Sequence, residues 1–119
     1  MTKVLVTGYR GLLGATLMQS LPLLGLKARA IESDIRDGPA LEEEVTTHNL
    51  DRKDWVIHCA AMTDVAECEQ NHLKAEAINV FGCRNLIDAV KDTQASIIYI
   101  STVSVFPGVK GDYTETDRP

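Results

Sequence analysis

The sequence is short of cysteine and of basic residues, and each shortage excludes a class of protein. Its three cysteines form no CxxC pair and leave one unmatched, so neither a disulfide framework nor a zinc site is indicated. Twelve Lys and Arg against 17 Asp and Glu give a formal net charge of -5 at pH 7. No basic stripe is present, so nucleic-acid binding is not expected.

Long hydrophobic runs are also missing. The apolar run Val4 to Val6 is far too short for a signal-peptide core or a membrane span, so no membrane partner is expected. Sparse cysteine favours a reducing compartment, and we expect a cytoplasmic protein. The three histidines share no ligand spacing, which argues against a metal site. A length of 119 residues with 45% hydrophobic residues suits one soluble domain.

Strand and helix patterns alternate along the chain, which predicts an α/β fold with a parallel sheet. The sequence predicts helices over 12–21, 39–48 and about 71–91, with Asp37 capping the second of them. Apolar runs predict strands at 3–7, 28–31, 55–59 and 96–101, with a very short further strand at 34–37. We therefore expect four to five strands with flanking helices, and a loop from residue 107 onward.

A glycine-rich loop is the strongest functional signal. Gly8, Gly11 and Gly14 follow the first predicted strand and open the first predicted helix. Small residues at these positions permit a tight turn, close approach of a pyrophosphate and close helix–sheet contact. The helix N-terminus adds free N–H groups and partial positive charge. The loop predicts a dinucleotide site, and the alternative is a plain strand-to-helix turn.

Three motifs are expected to converge on one edge of the sheet. Gly8, Ala60 and Thr102 each follow the carboxyl end of a predicted parallel strand. In an open α/β sheet those ends line a single crevice, where ligands bind.

The GxxGxxG loop resembles that of the extended short-chain dehydrogenase/reductases, particularly the dTDP-4-dehydrorhamnose reductase group. Further segments carry the same resemblance: Asp34-Ile35-Arg36-Asp37, His58-Cys59-Ala60-Ala61, Thr63-Asp64-Val65, Cys68-Glu69, Asn79-Val80-Phe81-Gly82, Asn85-Leu86, Ser101-Thr102-Val103-Ser104-Val105-Phe106 and Tyr113-Thr114-Glu115-Thr116-Asp117. They cover essentially the whole chain but only about the first half of a family member. The resemblance implies a Rossmann-type doubly wound sheet, incomplete here, that binds NAD(P) and serves reduction of a nucleotide-linked keto-sugar.

The resemblance also implies residue roles. Thr102 would hydrogen-bond a substrate carbonyl or alkoxide, although β-propensity alone also favours Thr at a strand end. Asn79 would order a water or backbone near the catalytic centre, and the alternative is a core amide satisfied by a neighbouring strand. The implied cofactor contacts are Gly8, Arg10, Gly11, Leu12, Leu13, Gly14, Glu32, Asp34, Ile35, Ala60, Ala61 and Ser101.

Two charged residues bear on the choice of cofactor. Glu32, at the end of the second strand, favours the free ribose hydroxyls of NAD. Arg10 can pair with the 2′-phosphate of NADP, and it resembles the arginine of NADP-using nucleotide-sugar reductases. The two residues point in opposite directions, and the alternative is that both are solvated surface charges; we expect NADP(H) to be slightly favoured over NAD(H). His58 stands where the family usually has Asn, so it either hydrogen-bonds near the cofactor or packs as a strand histidine.

The resemblance breaks at the catalytic pair. The family uses Tyr-xxx-Lys for acid–base chemistry, and none of the three tyrosines here has a lysine four residues later. Val103 and Ser104 replace the Asp-Tyr of the group's pattern, which leaves the sugar open. We expect a cofactor-binding half that is inactive alone, or alternatively a stand-alone dinucleotide-binding or interaction module. The last strand would expose an apolar edge, which predicts a homo-oligomer.

Overall fold

The computed structural model describes residues 1–119 and contains one parallel sheet of four strands. The strands are β1 (Lys3–Thr7), β2 (Lys27–Ala30), β3 (Trp55–His58) and β4 (Ser96–Tyr99), in the order β2-β1-β3-β4. The α-helices are α1 (Leu12–Ser20), α2 (Gly38–Thr47), α3 (Val65–Gln70), α4 (His72–Glu76) and α5 (Gly82–Val90). Short 3₁₀ turns cover Leu21–Leu24 and Val103–Val105.

The core lies on both faces of the sheet, because successive side chains of a strand point to opposite faces. Leu5 of β1 packs with α2 and α5 residues on one face, while Val4 and Val6 pack with Leu21 on the α1 face. A strand covered on both sides reads as a continuous apolar run. The predicted Rossmann-type sheet with helices on both faces is confirmed.

The long helix predicted over 71–91 is interrupted. It begins at His72, widens into a π turn over Ala77–Phe81 and continues as α5. The buried positions of α5 are Gly82, Leu86, Ala89 and Val90, in the predicted helical period. Apolar spacing indicates a helix but does not report the turn at which hydrogen bonding changes from i→i−4 to i→i−5. Such turns are frequent at functional sites.

The prediction of a short strand at 34–37 is wrong, because the segment forms a turn. Asp37 N–H donates to the Asp34 carbonyl at 2.9 Å, and Arg36 N–H donates to Asp34 Oδ1 at 2.9 Å. The Asp34 side chain thus closes a turn on its own backbone, which competes with strand pairing. Asp37 caps α2 as expected, since its side chain accepts from Ala40 N–H.

Two further differences concern the second half. Helix α3 was not predicted. Its sequence signal was Asp64, a residue type that favours the N-cap, and its side chain accepts from Glu67 N–H at 2.8 Å. Strand β4 ends at Tyr99 rather than at 101, and Ile100 N–H makes one last bond of 3.4 Å to the His58 carbonyl. None of the helices combines the length and the apolar character that crossing a bilayer requires.

Candidate functional site

A cleft of about 490 Å³ opens at the carboxyl edge of the sheet. Its walls come from the segments that follow β1, β2 and β3, together with Ile78 from the π turn. This is the position at which open α/β sheets bind ligands. The lining residues are Thr7, Gly8, Tyr9, Arg10, Gly11, Ile31, Glu32, Ser33, Asp34, Ile35, Arg36, Cys59, Ala60, Ala61 and Ile78.

The glycine turn depends on two positions where no side chain fits. Gly8 has φ of 65°, and a Cβ there would lie 2.7 Å from Ala60 N. A Cβ on Gly14 would overlap the Gly8 carbonyl oxygen. These two contacts hold the start of α1 against the end of β1 and bring the Ala60 backbone to the cleft wall. The close helix–strand approach expected from the spacing is therefore present.

The N-terminus of α1 leaves backbone donors free. Gly11 is the N-cap and supplies no side-chain acceptor, while the first N–H bonded to the preceding turn is that of Ala15, 2.9 Å from the Gly11 carbonyl. The amides of Leu12, Leu13 and Gly14 have no carbonyl partner. Free N–H groups at the positive end of a helix dipole are an arrangement that suits an anion.

The rim of the cleft carries four charged side chains. The Arg10 guanidinium lies 5.3 Å from the Tyr9 ring centroid and forms no ion pair. Arg36 contacts both carboxylate oxygens of Asp34, with Nε 3.0 Å from Oδ1 and Nη2 2.6 Å from Oδ2. This bond lowers the pKa of Asp34 to about 2 and raises the pKa of Arg36. Because Asp34 and Arg36 neutralise each other, Arg10 is the unpaired cation of the cleft, whose lining also includes the exposed Glu32.

The end of β2 is held in place by α2. The Glu44 carboxylate accepts from the N–H groups of Glu32 and Ser33, each at 2.8 Å. Burial acts to raise the pKa of Glu44, but these donors outweigh it and the pKa lies below its ordinary value. The backbone of the cleft's β2 wall is thus anchored, while the Glu32 side chain stays exposed.

The structure brings together most, but not all, of the predicted cofactor residues. Those that line the cleft are Gly8, Arg10, Gly11, Glu32, Asp34, Ile35, Ala60 and Ala61. The cleft lining does not include Leu12, Leu13 or Gly14. The Leu12 side chain is 92% exposed, so these residues offer a ligand their backbone N–H groups. Sequence reasoning missed Thr7 and Arg36, although a polar residue directly before the glycine loop was a usable signal.

Ser101 and Thr102 line a separate second cleft, built by residues 101–113. After β4 the chain enters the Val103–Val105 3₁₀ turn, with Thr102 as its N-cap. Thr102 Oγ1 accepts from Ser104 N–H at 3.1 Å, so its own hydroxyl proton remains available. The predicted convergence of three motifs holds for Gly8 and Ala60, while Thr102 borders the neighbouring cleft.

Asn79 orders the backbone of the loop after β3. Its Oδ1 accepts from Met62 N–H at 2.8 Å, and its Nδ2 donates to the Met62 carbonyl at 3.0 Å. The side chain is half-buried in the π turn, and its partner is a loop rather than a strand. The Asn79 amide thus orders a loop backbone, and its place near a catalytic centre stays a prediction.

Comparison with known proteins identifies the family. The model of the RmlD substrate binding domain matches residues 1–119. This chain belongs to the RmlD family. A dTDP-4-dehydrorhamnose reductase of Streptomyces griseus is 37% identical over 97% of this chain, which spans 38% of that relative. The chain is thus well under half the length of the curated relatives it matches.

Solved structures of RmlD relatives support the same family assignment. A dTDP-4-dehydrorhamnose reductase of Bacillus anthracis, in complex with NADP, is 31% identical with a TM-score of 0.90. It covers 100% of this chain, and the chain covers 43% of it. The reductase of Clostridium acetobutylicum gives a TM-score of 0.88 at 31% identity over 98% of this chain and 42% of its own. The resemblance drawn from the sequence motifs is confirmed.

Proposed function

We propose that this chain is the cofactor-binding part of an NADP(H)-dependent oxidoreductase that acts on a nucleotide-linked keto-sugar. The observation that carries the proposal is the set of unpartnered amides at Leu12, Leu13 and Gly14 above the glycine turn. Gly11 carries no side chain at the N-cap, and Gly14 lets α1 approach the end of β1, so the residues present fit a pyrophosphate at the start of α1. The relative in complex with NADP supports the same class of ligand.

Residue roles follow from the two clefts. The amides of residues 12–14 hold the diphosphate, Arg10 pairs with a 2′-phosphate, and the Ala60–Ala61 wall borders the rest of the dinucleotide. When bound, a nicotinamide dinucleotide supplies or accepts a hydride. Thr102, with its free hydroxyl proton, donates to the sugar oxygen on which negative charge develops.

We further propose that the chain does not complete the reaction alone. No tyrosine here is followed four residues later by lysine, so the Tyr-xxx-Lys acid–base pair has no counterpart among these residues. Mixing the chain with NADPH and a dTDP-linked 4-keto-sugar is expected to give no loss of absorbance from NADPH. Turnover above the rate of the cofactor and sugar without protein would overturn this part of the proposal.

Calorimetric titration with NADPH and NADH tests cofactor binding. Trp55 is a poor reporter, because it lies at the amino end of β3, opposite the cleft. We expect both cofactors to bind and NADPH to bind more tightly. Absence of heat with both at millimolar concentration, on a chain whose folding is verified by circular dichroism, would overturn the proposal.

The preference for NADPH is assigned to Arg10. Arg10→Ala is expected to weaken NADPH binding by about tenfold or more, the size of a charge-assisted hydrogen bond, and to leave NADH binding unchanged. Arg52→Ala, which removes an exposed arginine outside both clefts, is the matched control and should alter neither affinity. Equal losses for both cofactors in Arg10→Ala would refute the assignment.

A further inference from the structure

A row of three polar side chains crosses the sheet beneath the cleft. Thr7 of β1, His58 of β3 and Tyr99 of β4 are paired in register across neighbouring strands. Thr7 and His58 are 1% and 3% exposed, and Thr7 Oγ1 lies 2.7 Å from His58 Nδ1. The Tyr99 ring contacts the imidazole with 5.9 Å between centroids.

The hydrogen bonds of Thr7 fix the protonation state of His58. A hydroxyl group has one proton to donate and two lone pairs that accept. Thr7 Oγ1 accepts from the N–H groups of Cys59 and Ala60, each at 3.1 Å, and both lone pairs are thereby used. The Thr7 proton must therefore go to His58 Nδ1, which leaves the imidazole neutral with its own proton on Nε2.

The two amides that Thr7 holds belong to the wall of the cleft. Cys59, Ala60 and Ala61 line the cleft, and the Ala60 backbone contacts Gly8 so closely that a Cβ on Gly8 would lie 2.7 Å from Ala60 N. A shift of Ala60 would therefore alter both the wall and the glycine turn. The Thr7 hydroxyl therefore contacts the two backbone amides that join the wall of the cleft to the glycine turn.

Resting on the proposed function, we propose that His58 is a positioning residue for the dinucleotide. Its unprotonated Nδ1 keeps the Thr7 hydroxyl in the orientation that anchors Cys59 and Ala60. A proton on Nδ1 turns this nitrogen into a donor, so Thr7 Oγ1 would face three donors with two lone pairs. The Cys59–Ala61 wall is then released, and dinucleotide affinity falls as His58 is protonated.

The surroundings of His58 hold the imidazole neutral. Burial lowers the pKa of His58, and no charged group on the strands, helices or loops packed around it contributes to the shift. Tyr99 is the titratable group in ring contact with it, and Thr7 is its hydrogen-bonding partner. The charged residues of the cleft above are Arg10, Glu32, Asp34 and Arg36.

The first test is the pH profile of binding by the native chain and by His58→Asn. An Asn Oδ1 can accept from Thr7 but does not titrate. The probes are NAD⁺ and NADP⁺, titrated calorimetrically from about pH 7.5 to about pH 4.5, a range that reaches well below the ordinary pKa of histidine because burial lowers the pKa of His58. The 2′-phosphate of NADP⁺ titrates near pH 6, so NAD⁺ and the variant together separate its contribution from that of His58.

We expect His58→Asn to match the native chain near pH 7.5 and to bind NAD⁺ equally well at acid pH. The native chain should lose about three- to tenfold in affinity over this range, the change that one hydrogen bond makes. Parallel profiles for the two proteins would overturn the inference. Weaker binding by His58→Asn at every pH, with a flat native profile, would assign His58 a merely structural role.

A second measurement does not require a cofactor. Nitrogen-15 NMR should show His58 Nδ1 unprotonated near pH 7.5, and the Cys59 and Ala60 amides should lose protection from hydrogen exchange on acidification only in the native chain. A proton on Nδ1, or unchanged protection, would refute the role of His58 even if cofactors bind. Absence of binding at every pH together with the expected NMR behaviour would refute the proposed function and leave the His58–Thr7 linkage standing.

Discussion

Among single residues, Asp54 is the acidic group most deeply built into the fold. Its carboxylate is 0% exposed and accepts from Lys3 N–H at 2.8 Å and from Asp51 N–H at 2.9 Å. The Lys3 ammonium lies 3.4 Å away. Burial acts to raise the pKa of Asp54, but the backbone donors and Lys3 outweigh it, so the pKa lies below its ordinary value. Asp54 therefore ties the start of β1 to the start of β3.

Asp54→Asn should lower the free energy of unfolding by about 1–3 kcal/mol, because charged acceptors are lost from buried donors. The folded-state pKa lies below the unfolded one, so the stabilisation is present above about pH 4 and is lost as pH falls through the folded value. Urea denaturation of both proteins at neutral and acid pH measures this. Asp88→Asn, at an exposed surface pair, is the control and should change stability little. Equal native and Asp54→Asn stability at neutral pH would contradict the prediction.

Individual residues could be predicted from the sequence where backbone geometry alone determines which residue type fits. Gly8 and Gly14 were identifiable because their spacing between a strand and a helix leaves few alternatives. Thr7 was not identified, because its role depends on two amides more than 50 residues along the chain. The neutral state of His58 likewise follows from hydrogen bonds that no local pattern encodes.

Among the secondary-structure elements, the predictions were best for strands covered on both faces. The bounds of β1 were predicted without error, since Val4, Leu5 and Val6 form a continuous apolar run. The π turn was not predicted, and the contact made by Asn79 within it, to the Met62 backbone 17 residues away, has no signal in local spacing. The prediction of a strand at 34–37 failed for the opposite reason, since a local bond from Arg36 N–H to the Asp34 side chain forms a turn there.

The junction of β1 and α1 is the element most sensitive to a single methyl group. Gly14→Ala should lower the free energy of unfolding by about 2 kcal/mol, since the new Cβ overlaps the Gly8 carbonyl and forces α1 from the sheet. The amides of residues 12–14 move with the helix, so NADPH affinity should also fall.

Gly111→Ala is the matched control for this substitution, because a Cβ there meets nothing within 4 Å and its φ is not in the left-handed region. Thermal unfolding and calorimetric titration of both variants give the comparison. A Gly14→Ala chain with native melting temperature and native NADPH affinity would show that the close approach of helix and strand is not required.

At the scale of the whole molecule, the sheet is left with β4 as an edge strand. Its free backbone donors and acceptors lie next to exposed apolar side chains, with Ile98 41% and Ile100 42% exposed. Such an edge offers a template for pairing with another strand. We propose that a second copy of this chain covers it, strand against strand, around a two-fold axis.

Sedimentation velocity at roughly tens of micromolar should therefore show a dimer of the isolated chain. Ile98→Lys should shift the population to monomer, because a charge on an edge strand opposes pairing. Leu23→Lys introduces the same charge at a side chain that is 87% exposed, on a 3₁₀ turn away from β4, and should leave the dimer intact. Equal dissociation by both variants would assign self-association to general surface hydrophobicity. A monomer for the native chain at this concentration would exclude pairing through β4. The apolar edge of the four-stranded sheet would then remain exposed to solvent.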